Sequence, residues 1–134
     1  MKNQLFVFVF LLFLFGCKKA ADPIPSYVGV WEARWTRPAS QAIAGGIARF
    51  EVAIVTNRER IIMVEIIQDG GAYSCTGNDP EGGFATIDGS KLVINLRTTA
   101  GCLFKASGSF IDAETFRGEF YLAQTETLNF KKRK

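Results

Sequence analysis

Residues 84–122, FATIDGSKLVINLRTTAGCLFKASGSFIDAETFRGEFYL, decide the fold. Their apolar period is two, not 3.6. Leu92, Ile94 and Leu96 face away from Lys91, Asn95 and Arg97. Cys102, Phe104, Ala106 and Phe110 face away from Lys105, Ser107 and Ser109. Phe116, Gly118, Phe120 and Leu122 face away from Arg117, Glu119 and Tyr121. Asp88-Gly89 and Asp112-Ala113 read as the turns between these strands, because Asp and Gly tolerate turn conformations. One apolar face and one wet face define an antiparallel sheet.

The same period extends both ways. Downstream, Leu128 and Phe130 oppose Thr127 and Asn129. Upstream, Trp31, Ala33 and Trp35 oppose Glu32, Arg34 and Thr36, and Ala48, Phe50, Val52 and Ile54 oppose Arg49, Glu51 and Ala53. Asn57-Arg58 offers a turn. Residues 60–68 are apolar on both faces, which predicts a well-covered strand. Asp69-Gly70-Gly71 breaks it, residues 73–76 form a short strand, and residues 77–83 read as a Gly-rich loop. A short helix fits only within residues 38–44. A sheet of this kind exposes two long edges unless it closes on itself. The expected fold is therefore all-β: a single antiparallel meander closed into a small barrel of about eight strands.

The amino terminus carries an address. Lys2 precedes eleven apolar residues at 5–15, followed by Gly16 and Cys17. This is the layout of a secretory signal peptide, and the run is short of the ~20 residues a spanning helix needs. Leu14, Gly16 and Cys17 resemble the lipobox of bacterial lipoproteins. The resemblance implies cleavage before Cys17 and lipid attachment there, as a diacylglyceryl thioether with an acylated amine. Lys18 and Lys19 stand where an Asp often marks inner-membrane retention in that family, so the resemblance implies an outer-membrane protein of the cell envelope. Burial of two or more acyl chains, at about 0.8 kcal/mol per methylene, makes such an anchor stable. The alternative is an ordinary signal peptide with a Cys beside it. The domain reading is a lipoprotein signal peptide at 1–16, a lipid anchor and linker at 17–26 stiffened by Pro23 and Pro25, a barrel at 27–130, and a basic, solvated tail at 131–134.

The chain has 16 basic and 13 acidic residues, a formal charge of +3. Without Lys2, Lys18, Lys19 and the four basic residues at 131–134, it has 9 basic against 13 acidic. The body is mildly acidic with basic ends, which argues against nucleic acid as a partner. Beyond Cys17 only Cys75 and Cys102 remain, and an oxidising compartment predicts one disulfide between them.

The residue inventory argues against catalysis and implies no cofactor. There is no His, so the commonest general base and most zinc sites are missing. Asp79 and Glu81 lie close in the Gly-rich loop, but two carboxylates fall short of a calcium site, and no metal is expected. The Gly-Gly pairs at 45–46, 70–71 and 82–83 read as flexible loop residues. Tyr27, Tyr73 and Tyr121 read as outward aromatics at a contact surface.

Gly29-Val30-Trp31 resembles the G-x-W motif that opens the first strand of lipocalins. The resemblance implies a lipocalin-like barrel with Trp31 packed across its closed end, against Lys131 or Lys132, and a lid loop at 37–46. It also implies a small apolar ligand, for which Trp35, Phe50, Phe104, Phe116 and Phe120 would line a pocket. The competing expectation is that these aromatics fill the core, since a barrel of about eight strands barely holds its own side chains. The barrel would then act as a protein-interaction or inhibitor module in the envelope, through loops such as 77–83.

Overall fold

A computed structural model describes residues 26–36, 45–71, 74–79, 82–97, 101–121 and 124–134. Cys17, the signal segment, most of the linker, the helix expected within 38–44, most of the lid loop, Tyr73, Glu81 and Leu122 lie outside the described residues.

The described residues form nine strands: β1 (Gly29–Thr36), β2 (Gly45–Val55), β3 (Arg58–Gln68), β4 (Ser74–Asn78), β5 (Ala85–Asp88), β6 (Lys91–Arg97), β7 (Leu103–Phe110), β8 (Thr115–Tyr121) and β9 (Thr125–Lys132). They make one sheet in the order β4-β3-β2-β1-β9-β8-β7-β6-β5, curled into a half-barrel. The all-β meander is as expected.

Strand direction explains how the sheet curls. Every ladder is antiparallel, including β1 against β9. Nine strictly alternating strands would bring β1 and β9 together in parallel. Their antiparallel pairing requires two successive strands that run the same way, and these are β4 and β5. β4 pairs with residues 63–67 of β3. The Asp79 N–H then donates to Ile62 O at 2.8 Å, and β5 packs beside β3 while pairing only with β6. β4 and β5 thus act as two halves of one broken strand that changes neighbour between them. Counted this way, the wall has the expected number of staves, about eight.

The Cys75–Cys102 disulfide crosses this seam. It ties β4 to the residue before β7, with Cα atoms 6.3 Å apart. Gly77 and Asn78 belong to β4, so the loop expected at 77–83 starts later. Asp79 holds it: its Oδ2 accepts the backbone N–H groups of Gly83 and Phe84.

The inward set matches the alternation closely. Trp31, Ala33, Trp35, Ala48, Phe50, Val52, Leu92, Ile94, Phe104, Ala106, Phe110, Phe116, Phe120, Leu128 and Phe130 are all buried. Leu96 and Cys102 are partly buried against this set, and Ile54 departs from it, at 59% exposed. Val52 pairs with Gly29, the first residue of β1, so residues 53–55 extend past the barrel wall with β3 alone. β3 also departs from expectation. A bulge near Ile62 puts both Ile61 and Val64 inside, and Ile62, Met63 and Ile67 remain half-exposed on the outer face rather than covered.

The basic tail is corrected at Lys131 and Lys132. Both lie in β9 and close the sheet against Glu32 and Trp31, and the Arg133 N–H donates to Val30 O at 2.8 Å.

Two turns carry local predictions. The β2–β3 hairpin turns through Thr56 and Asn57, at φ 51° and 61°, one residue earlier than the expected Asn57-Arg58. A β-branched residue in the left-handed region is strained. Thr56→Asn should raise stability by about 0.5–1 kcal/mol, read from the denaturant midpoint. In the β7–β8 turn, Asp112 Oδ1 accepts the Glu114 N–H at 2.8 Å. This bond, with weaker help from Thr115 and Lys131, holds the Asp112 carboxyl below its ordinary 3.8. The turn's contribution is complete above the ordinary value and fades as pH falls through the lowered one. Asp112→Asn should remove that acid-side dependence, and carboxyl NMR titration of Asp112 should show the lowered midpoint directly.

Candidate functional site

The interior is built from aromatic rings. At the end where the chain enters, Tyr27 is buried and stacks on Phe110 with centroids 3.9 Å apart. The expectation that Tyr27 faces outward is therefore corrected. The Tyr27 N–H and the Ser26 hydroxyl both donate to Glu59 Oε1, at 2.8 and 2.9 Å. The projecting β2–β3 hairpin thus grips the entering chain and seats Tyr27 as a plug.

Trp31 lies beneath the plug. Its indole N–H donates to Tyr27 O at 2.9 Å, and its ring meets Phe110 at 4.9 Å and Phe50 at 6.1 Å. The basic partner is Lys132, with Nζ 5.8 Å from the ring centroid. Lys131 instead donates to Thr115 Oγ1 at 2.7 Å. Gly29, at φ 140°, leaves room for Lys132: a Cβ there would sit 2.7 Å from Lys132 Cε.

The five aromatics expected to line a pocket separate into two groups. Phe50 and Phe116 meet at 5.4 Å below Trp31, and both touch Phe130, at 5.1 and 5.6 Å. Trp35, Phe104 and Phe120 lie toward the opposite end, because they sit at the end of β1, the start of β7 and the end of β8. All five are buried.

Trp35 has one unusual feature. It is 2% exposed, and its indole N–H finds no acceptor among the described residues. Gly46, expected to be a loop residue, is buried in β2 beneath this ring. A Cβ at Gly46 would stand 2.2 Å from Ile67 O and 2.5 Å from Trp35 Cη2. Gly46→Ala should therefore cost about 2–3 kcal/mol, since neither the β3 backbone nor a packed indole can retreat cheaply. Thermal unfolding would check it.

The outer wall carries a different feature. A groove of about 320 Å³ runs over β6, β7, β8 and the start of β9, lined by outward side chains including Val93, Asn95, Lys105, Ser107, Glu119 and Tyr121. Register assembles it: Val93 pairs with Ser107, Ser107 with Glu119, and Asn95 with Lys105. Val93 and Tyr121 are its exposed apolar members. Tyr121 was legible as an outward aromatic. The groove was not, although Val93 interrupts an otherwise polar outward face of β6.

The wall formed by β1, β2 and β3 is ionic. Arg49 bridges Glu32, at 2.8 Å, and Glu65, at 2.5 Å. The Glu32 hydrogen bond raises the Arg49 pKa further above its ordinary range, so it stays charged at any working pH. Arg34 pairs with Asp69 at 2.9 Å in a more exposed position. The Arg49 pairs link neighbouring strands, and the Arg34–Asp69 pair reaches from β1 across β2 to the residue after β3. No group of three or more metal-ligating side chains occurs among the described residues.

Set beside protein-family models, curated proteins and solved structures, the chain finds no match. The all-β half-barrel is therefore read from the chain's own residues.

Proposed function

We propose that this is a lipid-anchored lipoprotein of the cell envelope, acylated at Cys17 and held at the outer membrane, whose barrel is a solid scaffold for binding another envelope protein. The observation that carries the scaffold reading is the packing of the interior. Phe50, Phe110, Phe116 and Phe130 meet ring to ring below Trp31, and the Tyr27 plug closes that end. The groove over β6–β8 supplies a contact face of mixed character, with two apolar side chains among charged ones, as protein interfaces have.

A photo-crosslinking residue at Tyr121, in cells, should yield one dominant protein adduct, and one at Glu51 on the opposite wall should not. Equal, diffuse adducts from both positions would count against the proposal. Acyl labelling of the wild type and its loss in Cys17→Ala tests the anchor separately.

A second reading, a small apolar ligand at the end near Trp35, is favoured by the indole N–H of that residue, which finds no acceptor among the described residues. Such a ligand would carry a carbonyl or carboxylate to accept this bond. Native mass spectrometry of protein from its host should then show an added small-molecule mass that Trp35→Phe loses.

A further inference from the structure

The two most exposed large apolar side chains among the described residues are Ile111 and Ile54, at 63% and 59%. Both stand at the same end of the barrel. Ile54 is near the tip of the β2–β3 hairpin and Ile111 follows the last residue of β7. The β5–β6 turn, the last residues of β9 and the entry of the chain at Ser26 share that end. Tyr27 fills its centre, so Ile54 and Ile111 project from the rim of a closed surface.

Charge at this rim differs from charge on the walls. Arg58, Lys91, Lys131, Lys132, Arg133 and Lys134 gather there against Glu59, Asp88, Asp112 and Glu114. Arg133 lies 3.7 Å from Glu32, and Lys132 lies over the Trp31 ring. Six basic against four acidic side chains leave this rim a small basic excess around its two exposed isoleucines.

We propose that this end of the barrel docks on an anionic bilayer surface, with Ile54 and Ile111 entering the headgroup region and the basic side chains meeting lipid phosphates. Apolar side chains ringed by Lys and Arg are what such a surface binds, each basic residue adding about 1 kcal/mol near it. Placement of the tether favours the same partner. Ser26 emerges at this end, and from Cys17 it can lie at most about 30 Å away. A chain anchored at Cys17 thus places this rim, where the tether joins the domain, nearest the membrane. The inference rests on the anchor reading only for delivery of the domain to a bilayer.

The test uses the full chain in vesicles containing brominated lipid, either neutral or with anionic phosphatidylglycerol. Tryptophan is introduced by Ile111→Trp, by Ile54→Trp, and by Val93→Trp on the wall as reference, and the parent signal from Trp31 and Trp35 is subtracted. Quenching at positions 111 and 54 should exceed that at 93 by at least about twofold in anionic vesicles, and fall at about 0.5 M salt as charge is screened. Equal quenching at all three positions, or none at 111 and 54 in vesicles that retain the protein, would overturn the proposal. So would a shift at 111 that follows protein concentration and not lipid charge, which would mean a second copy covers the rim. Absence of an acyl label on Cys17 would sink the anchor reading and leave the quenching result standing.

Discussion

Phe50→Ala should lower the stability of this domain by about 3–5 kcal/mol, the largest loss expected of any single truncation in its core. Phe50 is fully buried at the middle of β2. Its ring meets Trp31, Phe110, Phe116 and Phe130 at 6.1, 6.5, 5.4 and 5.1 Å. Truncation removes that contact surface and leaves a hole lined by four rings held on four other strands. Ladder hydrogen bonds fix those strands, so the wall cannot collapse to refill it. Against a typical total of about 5–15 kcal/mol, the change brings the fold close to its limit. The melting temperature should fall by on the order of 15 °C. Val93→Ala, on the outer wall, should change stability by less than about 0.5 kcal/mol.

The result also weighs on function. A packed interior must respond to Phe50→Ala at this scale. A barrel that keeps room for a ligand would leave part of the Phe50 ring without packed neighbours, and truncation would then cost mainly the transfer term, about 2 kcal/mol. A small loss would therefore shift support from the scaffold reading to the ligand reading.

The second large effect concerns the seam. Replacing Cys75 and Cys102 together by serine should cost about 3.5 kcal/mol in the chain-entropy account, for a loop of nearly thirty residues. The structure gives the bond a local task as well. β4 and β5 are the two edges of the sheet, and no ladder joins them. The disulfide crosses there, so β4 depends on it and on β3 alone. Amide exchange in β4 should accelerate most in the double variant, ahead of β1 and β9, which lie in the middle of the sheet. Reductant added to the wild type should reproduce both changes. An unchanged denaturant midpoint would show that the ladders hold the seam without help.

The acid-side prediction at Asp112 and the gain expected from Thr56→Asn are smaller and local. They test turn chemistry and not the wall.

Much of the wall was legible because alternation is a local property. Successive side chains on a strand point to opposite faces, so Leu92, Ile94, Phe104, Phe116 and Phe130 announce an inner face wherever their strands pair. The pairing of Cys75 with Cys102 followed from counting the cysteines beyond Cys17. The proposed lipid anchor was read from a stretch that lies outside the described residues, and it stands on sequence resemblance alone. The contact groove was not legible, because its members come from separate strands and only register sets them side by side.

By itself, then, the sequence determined the strand content, the meander, the inward set of β6 to β9 and the pairing of Cys75 with Cys102. Tertiary structure alone decided that β1 closes on β9 through Lys131 and Lys132, that β4 and β5 run the same way and change neighbours, that Ile54 overshoots the wall, and that Tyr27 turns inward onto Phe110. The physical reason is range. Alternation comes from backbone geometry two residues at a time, while closure, overshoot and plugging depend on where strands distant in the chain meet and how far each extends past its neighbour.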